Sequence, residues 1–222
     1  MNPRDSPPSR TSLEYKDDGN RLFALRKWRA ALEPYSLGLD LEPAGRLSGI
    51  LRSNRAATHL KLGQPGAALR DCMAALADAS LEPTLRHKVL FRAANAEYRL
   101  QRFSEANLRL ESLLVLHPED ADAMDLYRRT QVRLVEATRG EYDWPFLFDA
   151  ASKVPELDLA NFTADGIETV EIPGRGRGLV ATREIRRGEL LLVAQPFGIG
   201  VADRTRKKVG WCLLKGSHEP AS

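Results

Sequence analysis

Lys16, Asn20, Asn54, Lys88 and Arg92 are the residues of this chain whose types and spacing could do chemistry together. Lys16 and Asn20 are four apart, as are Lys88 and Arg92. On a helix each pair therefore shares a face. Ammonium and guanidinium groups give charge-assisted hydrogen bonds to carboxylates, and Asn amides donate while fixing orientation. Two cationic stations flanking an amide pair suit the end of a peptide, which carries a main-chain carboxylate and, when its last residue is Asp, a second one beside it. Each such bond contributes about 1.5–3 kcal/mol, much of it offset by desolvation and ordering. A short peptide would then bind at about micromolar strength, near −8 kcal/mol. The competing reading is a solvated face, because Lys, Arg and Asn are common surface residues.

The elements that must position these residues are legible as repeats. Three segments align: one around GNRLFALRKWRAALEPYSLGLDLEP, one around SNRAATHLKLGQPGAALRDCMAALAD, and one around RAANAEYRLQRFSEANLRLESLLVLHP. Small residues recur at Gly19, Ala56 and Ala94 and again at Ala31, Ala68 and Ala106. Bulky ones recur at Phe23, Leu60 and Tyr98 and at Leu39, Leu76 and Leu114. Small residues at fixed positions let antiparallel helices approach, while bulky ones fill the space beside them. Trp28, Pro65 and Phe103 stand where each second helix opens, a place that tolerates proline. Gly63 marks a turn. The stretch 119–139 continues helically, with Ala123, Leu126, Tyr127, Leu134 and Val135 on one face, as a helix covering the end of an array requires. The unit of about 34 residues resembles the tetratricopeptide repeat (TPR) family over residues 12–139.

Within that family the five polar residues match the dicarboxylate clamp of co-chaperones that bind heat-shock chaperones ending in Glu-Glu-Val-Asp. The pattern is Lys and Asn on the first repeat, Asn on the second, and Lys and Arg on the third. Lys16, Asn20, Asn54, Lys88 and Arg92 fill all five places. The resemblance implies capture of the C-terminal peptide of a heat-shock chaperone.

Composition sets outer bounds. The 222 residues are 43% hydrophobic and 28% charged with net charge +3, an ordinary balance that does not imply nucleic acid. The arginines at 175, 177, 183, 186 and 187 and the run 204–208 read as a solvated basic face, since interleaved aromatics are scarce. No apolar run approaches the roughly 20 residues that span a bilayer, and residues 1–12 lack the apolar stretch of a secretory signal. Cys72 and Cys212 are too few for a disulfide framework, and Cys212 with His218 cannot make a zinc site. A cytoplasmic or nuclear location is expected.

After residue 139 the helical period lapses. Residues 140–166 read as a packed connector with a short helix around residues 145–151, and Trp144, Phe146, Leu147, Phe148, Leu157 and Phe162 are expected to be buried in it. IETVEI alternates, PGRGRG turns the chain, and LVATREI and ELLLVAQPF continue with β-favouring residues. Glycines 174, 176 and 178 permit close backbone approaches, and Gly188 closes the next turn. The run EIPGRGRGLVATREIRRGELLLVAQPF resembles the opening of a SET domain, the fold of many protein lysine methyltransferases. That resemblance implies that Gly176, Arg177, Gly178 and Leu179 border S-adenosylmethionine in a complete domain. After Phe197 the sequence has no Asn and no Tyr, whereas a SET enzyme needs a downstream Asn-His element and a tyrosine. No catalytic residue is therefore assigned, and no methylation is expected of the chain as written. A piece of a longer TPR-SET protein is favoured over a natural short product. The fold expected is mainly α: residues 1–11 disordered, a three-repeat TPR solenoid with a capping helix over 12–139, the connector, a partial SET-like β segment over 167–197, and an atypical disordered tail over 198–222.

Overall fold

The computed structural model describes residues 10–153 and 157–195. The tail expected over 198–222, with Cys212 and His218, and most of the expected N-terminal tail lie outside them. The chain divides into two compact units, Met1–Val135 and Glu136–Ser222.

The first unit is a stack of helical hairpins, the mainly α repeat architecture expected from the sequence: α1 (Ser12–Ala24) with α2 (Trp28–Leu41), α3 (Arg46–Lys61) with α4 (Pro65–Leu76), and α5 (Pro83–Arg99) with α6 (Phe103–Leu116). Residues 121–135 of α7 (Ala121–Arg139) complete it. A capping box starts α1: the Thr11 hydroxyl accepts from the Glu14 N–H and the Glu14 carboxylate accepts from the Thr11 N–H. Each hairpin then closes with the same Schellman turn. The N–H groups of Lys27, Gln64 and Arg102 donate back to the carbonyls of Leu22, His59 and Glu97 at 3.0, 2.9 and 2.9 Å. The preceding residue is left-handed in all three: Arg26 (φ 57), Gly63 (φ 69) and Gln101 (φ 58).

The repeated small residues sit where helices touch. Ala31, Ala56, Ala68, Ala94 and Ala106 are wholly buried. Gly19 faces the ring of Tyr35, and a Cβ added there would lie 2.4 Å from a ring carbon. Buried ion pairs tie hairpins internally. Arg55 on α3 forks onto Asp71 on α4 at 2.8 and 2.7 Å, and Arg109 on α6 forks onto Glu97 on α5 at 2.8 and 2.6 Å. At the end of the stack Ala123 and Leu126 of α7 are buried, and the Tyr127 hydroxyl donates to Glu111 at 3.3 Å.

In the second unit, α8 (Trp144–Ala151) is followed by β1 (Phe162–Thr163), β2 (Ile167–Ile172), β3 (Gly176–Ala181) and β4 (Leu192–Val193). β2 and β3 form an antiparallel ribbon with Ile167 opposite Ala181 and Ile172 opposite Gly176; β1 pairs antiparallel with β4. Among the described residues, most of LVATREI and ELLLVAQPF is therefore outside strands. The expected burial of the connector aromatics is also corrected. Trp144, Phe146 and Phe148 are 42%, 62% and 75% exposed, and of the α8 residues Leu147 alone is buried. The segment is held instead by polar bonds around Ala160, whose N–H donates to Glu136 at 2.8 Å and whose carbonyl accepts from the Tyr142 hydroxyl at 2.7 Å. No helix among the described residues is long and apolar enough to cross a membrane.

Candidate functional site

Three neighbouring helices supply the five polar residues: α1 carries Lys16 and Asn20, α3 carries Asn54, and α5 carries Lys88 and Arg92. The structure joins the two amides. Asn20 Oδ1 accepts both from Asn54 Nδ2 and from the Tyr35 hydroxyl, each at 2.9 Å. That network fixes the orientation of both side chains, and it leaves the Asn20 amide group with its N–H donors. Burial pushes Tyr35 up to about 12, so its hydroxyl stays a donor. The partner role of Tyr35 carries no signal in the sequence beyond an aromatic in the middle of α2.

Arg92 is the most constrained of the five. Its Nη1 donates to the carbonyl of Ser53 at 2.9 Å and to the Ser53 hydroxyl. Burial holds its pKa below the usual arginine range. Among the described residues it pairs with no carboxylate, unlike Arg55 and Arg109, which fork onto Asp71 and Glu97. A half-buried guanidinium without a counter-ion carries a desolvation cost that a bound anion would reduce. Lys88, one turn away, is exposed. Asn54, Lys88 and Arg92 border one cavity of about 280 Å³ between α3 and α5.

Lys16 stands apart from that cavity. Its ammonium, half-buried, lies 3.1 Å from the exposed carboxylate of Asp17, its chain neighbour. The structure thus brings four of the five residues together in two linked pairs, Asn20 with Asn54 and Asn54 with the α5 cations, and leaves Lys16 on the rim.

No family model matches the chain. A methyltransferase of Gibberella zeae is 31% identical over 193 residues, covering 86% of this chain and 26% of that protein. The human protein-lysine N-methyltransferase SMYD4 is 29% identical over 199 residues, covering 83% and 24%. The chain therefore spans about a quarter of the length of either relative. Among solved structures, the first TPR of Spaghetti (RPAP3), bound to HSP90 peptide SRMEEVD, superposes with a TM-score of 0.51 at 29% identity, covering 56% of this chain and 94% of that one. The helical stack is a TPR array. In that setting α1, α3 and α5 are the first helices of TPR units one, two and three, and all five polar residues project from first helices.

The glycine motif has a different setting. Gly176, Arg177, Gly178 and Leu179 lie on β3, at the end of an open ribbon. Gly176 has φ 76. Gly178 sits against the end of the Ile172 side chain, whose Cδ1 a Cβ there would meet at 2.5 Å. A nucleotide-sized cofactor buries most of its surface in a concave site. Gly176 and Arg177 are exposed and Leu179 points largely to solvent, so these residues do not by themselves enclose S-adenosylmethionine. No group of three or more His, Cys, Asp or Glu among the described residues is arranged to hold a metal.

Proposed function

We propose that the TPR groove captures the acidic C-terminal tail of a heat-shock chaperone, of the Glu-Glu-Val-Asp kind, through Lys16, Asn20, Asn54, Lys88 and Arg92. The observation that carries this reading is Arg92: a half-buried cation with no carboxylate partner among the described residues, bordering the same cavity as Lys88 and Asn54. The similarity to a TPR solved with SRMEEVD supports it. The main-chain and side-chain carboxylates of the last residue take charge-assisted bonds from Lys88 and Arg92. The linked amides of Asn20 and Asn54 orient the peptide end, and Lys16 turns from Asp17 to the ligand. A module of this kind works in the cytosol or nucleus.

Fluorescence anisotropy of labelled SRMEEVD against the same peptide with an amidated C-terminus tests the reading. The free acid binds at about micromolar strength and amidation weakens it at least tenfold. Equal affinities would show that the terminal carboxylate is not recognised.

A second reading concerns a protein in which such a chain is joined to a complete SET domain. Two relatives that match more than four-fifths of this chain are named as methyltransferases, and residues 167–197 resemble the opening of a SET domain. On this reading the complete protein methylates protein lysines with S-adenosylmethionine, the β2–β3 ribbon contributing one side of the cofactor site. Transfer of labelled methyl from S-adenosylmethionine to cell-extract proteins by the complete protein supports it; none from folded protein contradicts it.

A further inference from the structure

Tyr35 belongs to α2, a second helix, and is none of the five residues that meet the peptide. It stands four residues after Ala31; the places four after Ala68 and Ala106 hold Cys72 and Leu110, and all three side chains are buried. Core packing at this place therefore needs no hydroxyl. In the first repeat Gly19 leaves room for the ring against α1, where a Cβ would overlap it. The hydroxyl then reaches Asn20, the next residue, at 2.9 Å.

The amide pair alone does not fix what it shows the groove. Asn20 Oδ1 accepts from Asn54 Nδ2, but with both amides flipped Asn20 Nδ2 would donate to Asn54 Oδ1 and make the same kind of bond. The two arrangements differ in the group that Asn20 turns outward: N–H donors in the first, a carbonyl oxygen in the second. The Tyr35 hydroxyl breaks the tie. It donates to Asn20 Oδ1 and takes that oxygen's second lone pair. A flip would set the Asn20 amide nitrogen against it and leave a buried phenol proton without an acceptor. The charge of Arg92 is felt at the phenol as well.

We propose that Tyr35 is a positioning residue that sets the carboxylate selectivity of the groove: it holds Asn20 with its N–H donors outward, so that a peptide end made only of acceptors is taken and one carrying N–H groups of its own is refused. The proposal rests on the carboxylate-capture reading above and leaves its contacts as they stand. Lys88 and Arg92 hold the carboxylates, and the Asn20 donors orient the peptide end.

The test is anisotropy of the full chain with SRMEEVD as free acid and as terminal amide, for wild type and for Tyr35→Phe, which keeps the ring against Gly19; helicity and a thermal melt check the fold. Without the hydroxyl the two amide arrangements become about equally populated, which halves the competent fraction and weakens the acid about twofold. The amidated peptide gains an acceptor in the flipped arrangement and tightens about threefold or more. The acid-over-amide ratio therefore falls about sixfold or more. Loosened packing would instead weaken both peptides alike. In wild type, NMR should show one Asn54 Nδ2 proton exchanging with water more slowly than either Nδ2 proton of Asn20. Parallel weakening of both peptides by Tyr35→Phe, an unchanged ratio, or the reverse order of exchange in wild type overturns the role of Tyr35 and leaves the capture reading standing. Equal affinity of wild type for acid and amide, or no binding of either, overturns the capture reading and this role with it.

Discussion

Arg92 and Lys88 are one turn apart on α5, yet their surroundings set different roles. Lys88 is an exposed, freely hydrated charge; Arg92 is half-buried and anchored on Ser53. Lys88→Ala should weaken SRMEEVD about tenfold and leave the melting temperature unchanged. Arg92→Ala should weaken it by up to about a hundredfold, since hydrogen bonds to charged groups contribute about 1.5–3 kcal/mol, and it should also lower the melting temperature because Ser53 loses its partner. Titration calorimetry and a thermal melt on the two variants separate these effects. All five polar residues were readable from type and repeat position alone. What the sequence could not show was who else holds them: Tyr35 and Asn54 share the oxygen of Asn20, and Asp17 competes for Lys16. Such partners come from other helices or from rotamers, which repeat spacing does not encode. Cys72 makes the same point for reactivity. Burial pushes its thiol up to about 12, so a thiol reagent at pH 8 should leave Cys72 unmodified in the folded protein and modify it once the protein is denatured.

The helices show where sequence patterning is sufficient and where it fails. Gly63 announced its turn, whereas Arg26 and Gln101 adopt the same left-handed conformation with nothing in their side chains to signal it. The repeat carries that information, because the surrounding Schellman bonds impose it. A non-glycine residue there costs about 1–2 kcal/mol, so Gln101→Gly should raise the unfolding free energy by up to about 1 kcal/mol once glycine's own entropy is counted. The Arg55–Asp71 pair was invisible to the repeat alignment. Asp71 is buried, and Arg55→Ala would strand its charge, lowering stability by about 3–5 kcal/mol in urea unfolding. The α8 aromatics were misread for a physical reason: apolar residues crowd both the positions that pack and the positions that do not, and over eight residues no period separates them. In the second unit a local device is titratable. Arg183 forks onto Glu189, and the Arg186 N–H also donates to it, lowering its carboxyl to about 2. A depressed carboxylate stabilises the fold above its ordinary value near 4.5 and loses that contribution as pH falls through the folded value. The Glu189 carboxyl carbon should therefore titrate in NMR near pH 2, and the Arg183 contact should dissolve between about pH 4.5 and 2.

At the scale of the molecule, the repeat stack sets α1, α3 and α5 side by side, and that geometry brings Asn20, Asn54, Lys88 and Arg92 together from separate helices. The stack was legible because helix period, small-residue spacing and turn positions agreed with one another. The β segment was legible only as far as IETVEI and the glycine turn, where alternation and left-handed glycines coincide; beyond them β4 pairs with the distant β1, a register that local sequence does not give. Capture through exposed Lys88 with half-buried Lys16 and Arg92 should be partly salt-dependent, weakening several-fold between 50 and 500 mM salt without vanishing, because a half-buried cation is screened less than an exposed one. The most direct measurement is a titration of the isotope-labelled chain with SRMEEVD followed by NMR at the side-chain amides of Asn20 and Asn54 and at Arg92 Nε. The account predicts saturating shifts at these three groups with one shared dissociation constant, abolished when the peptide is amidated. Shifts that leave them unmoved, or that persist with the amidated peptide, would contradict it.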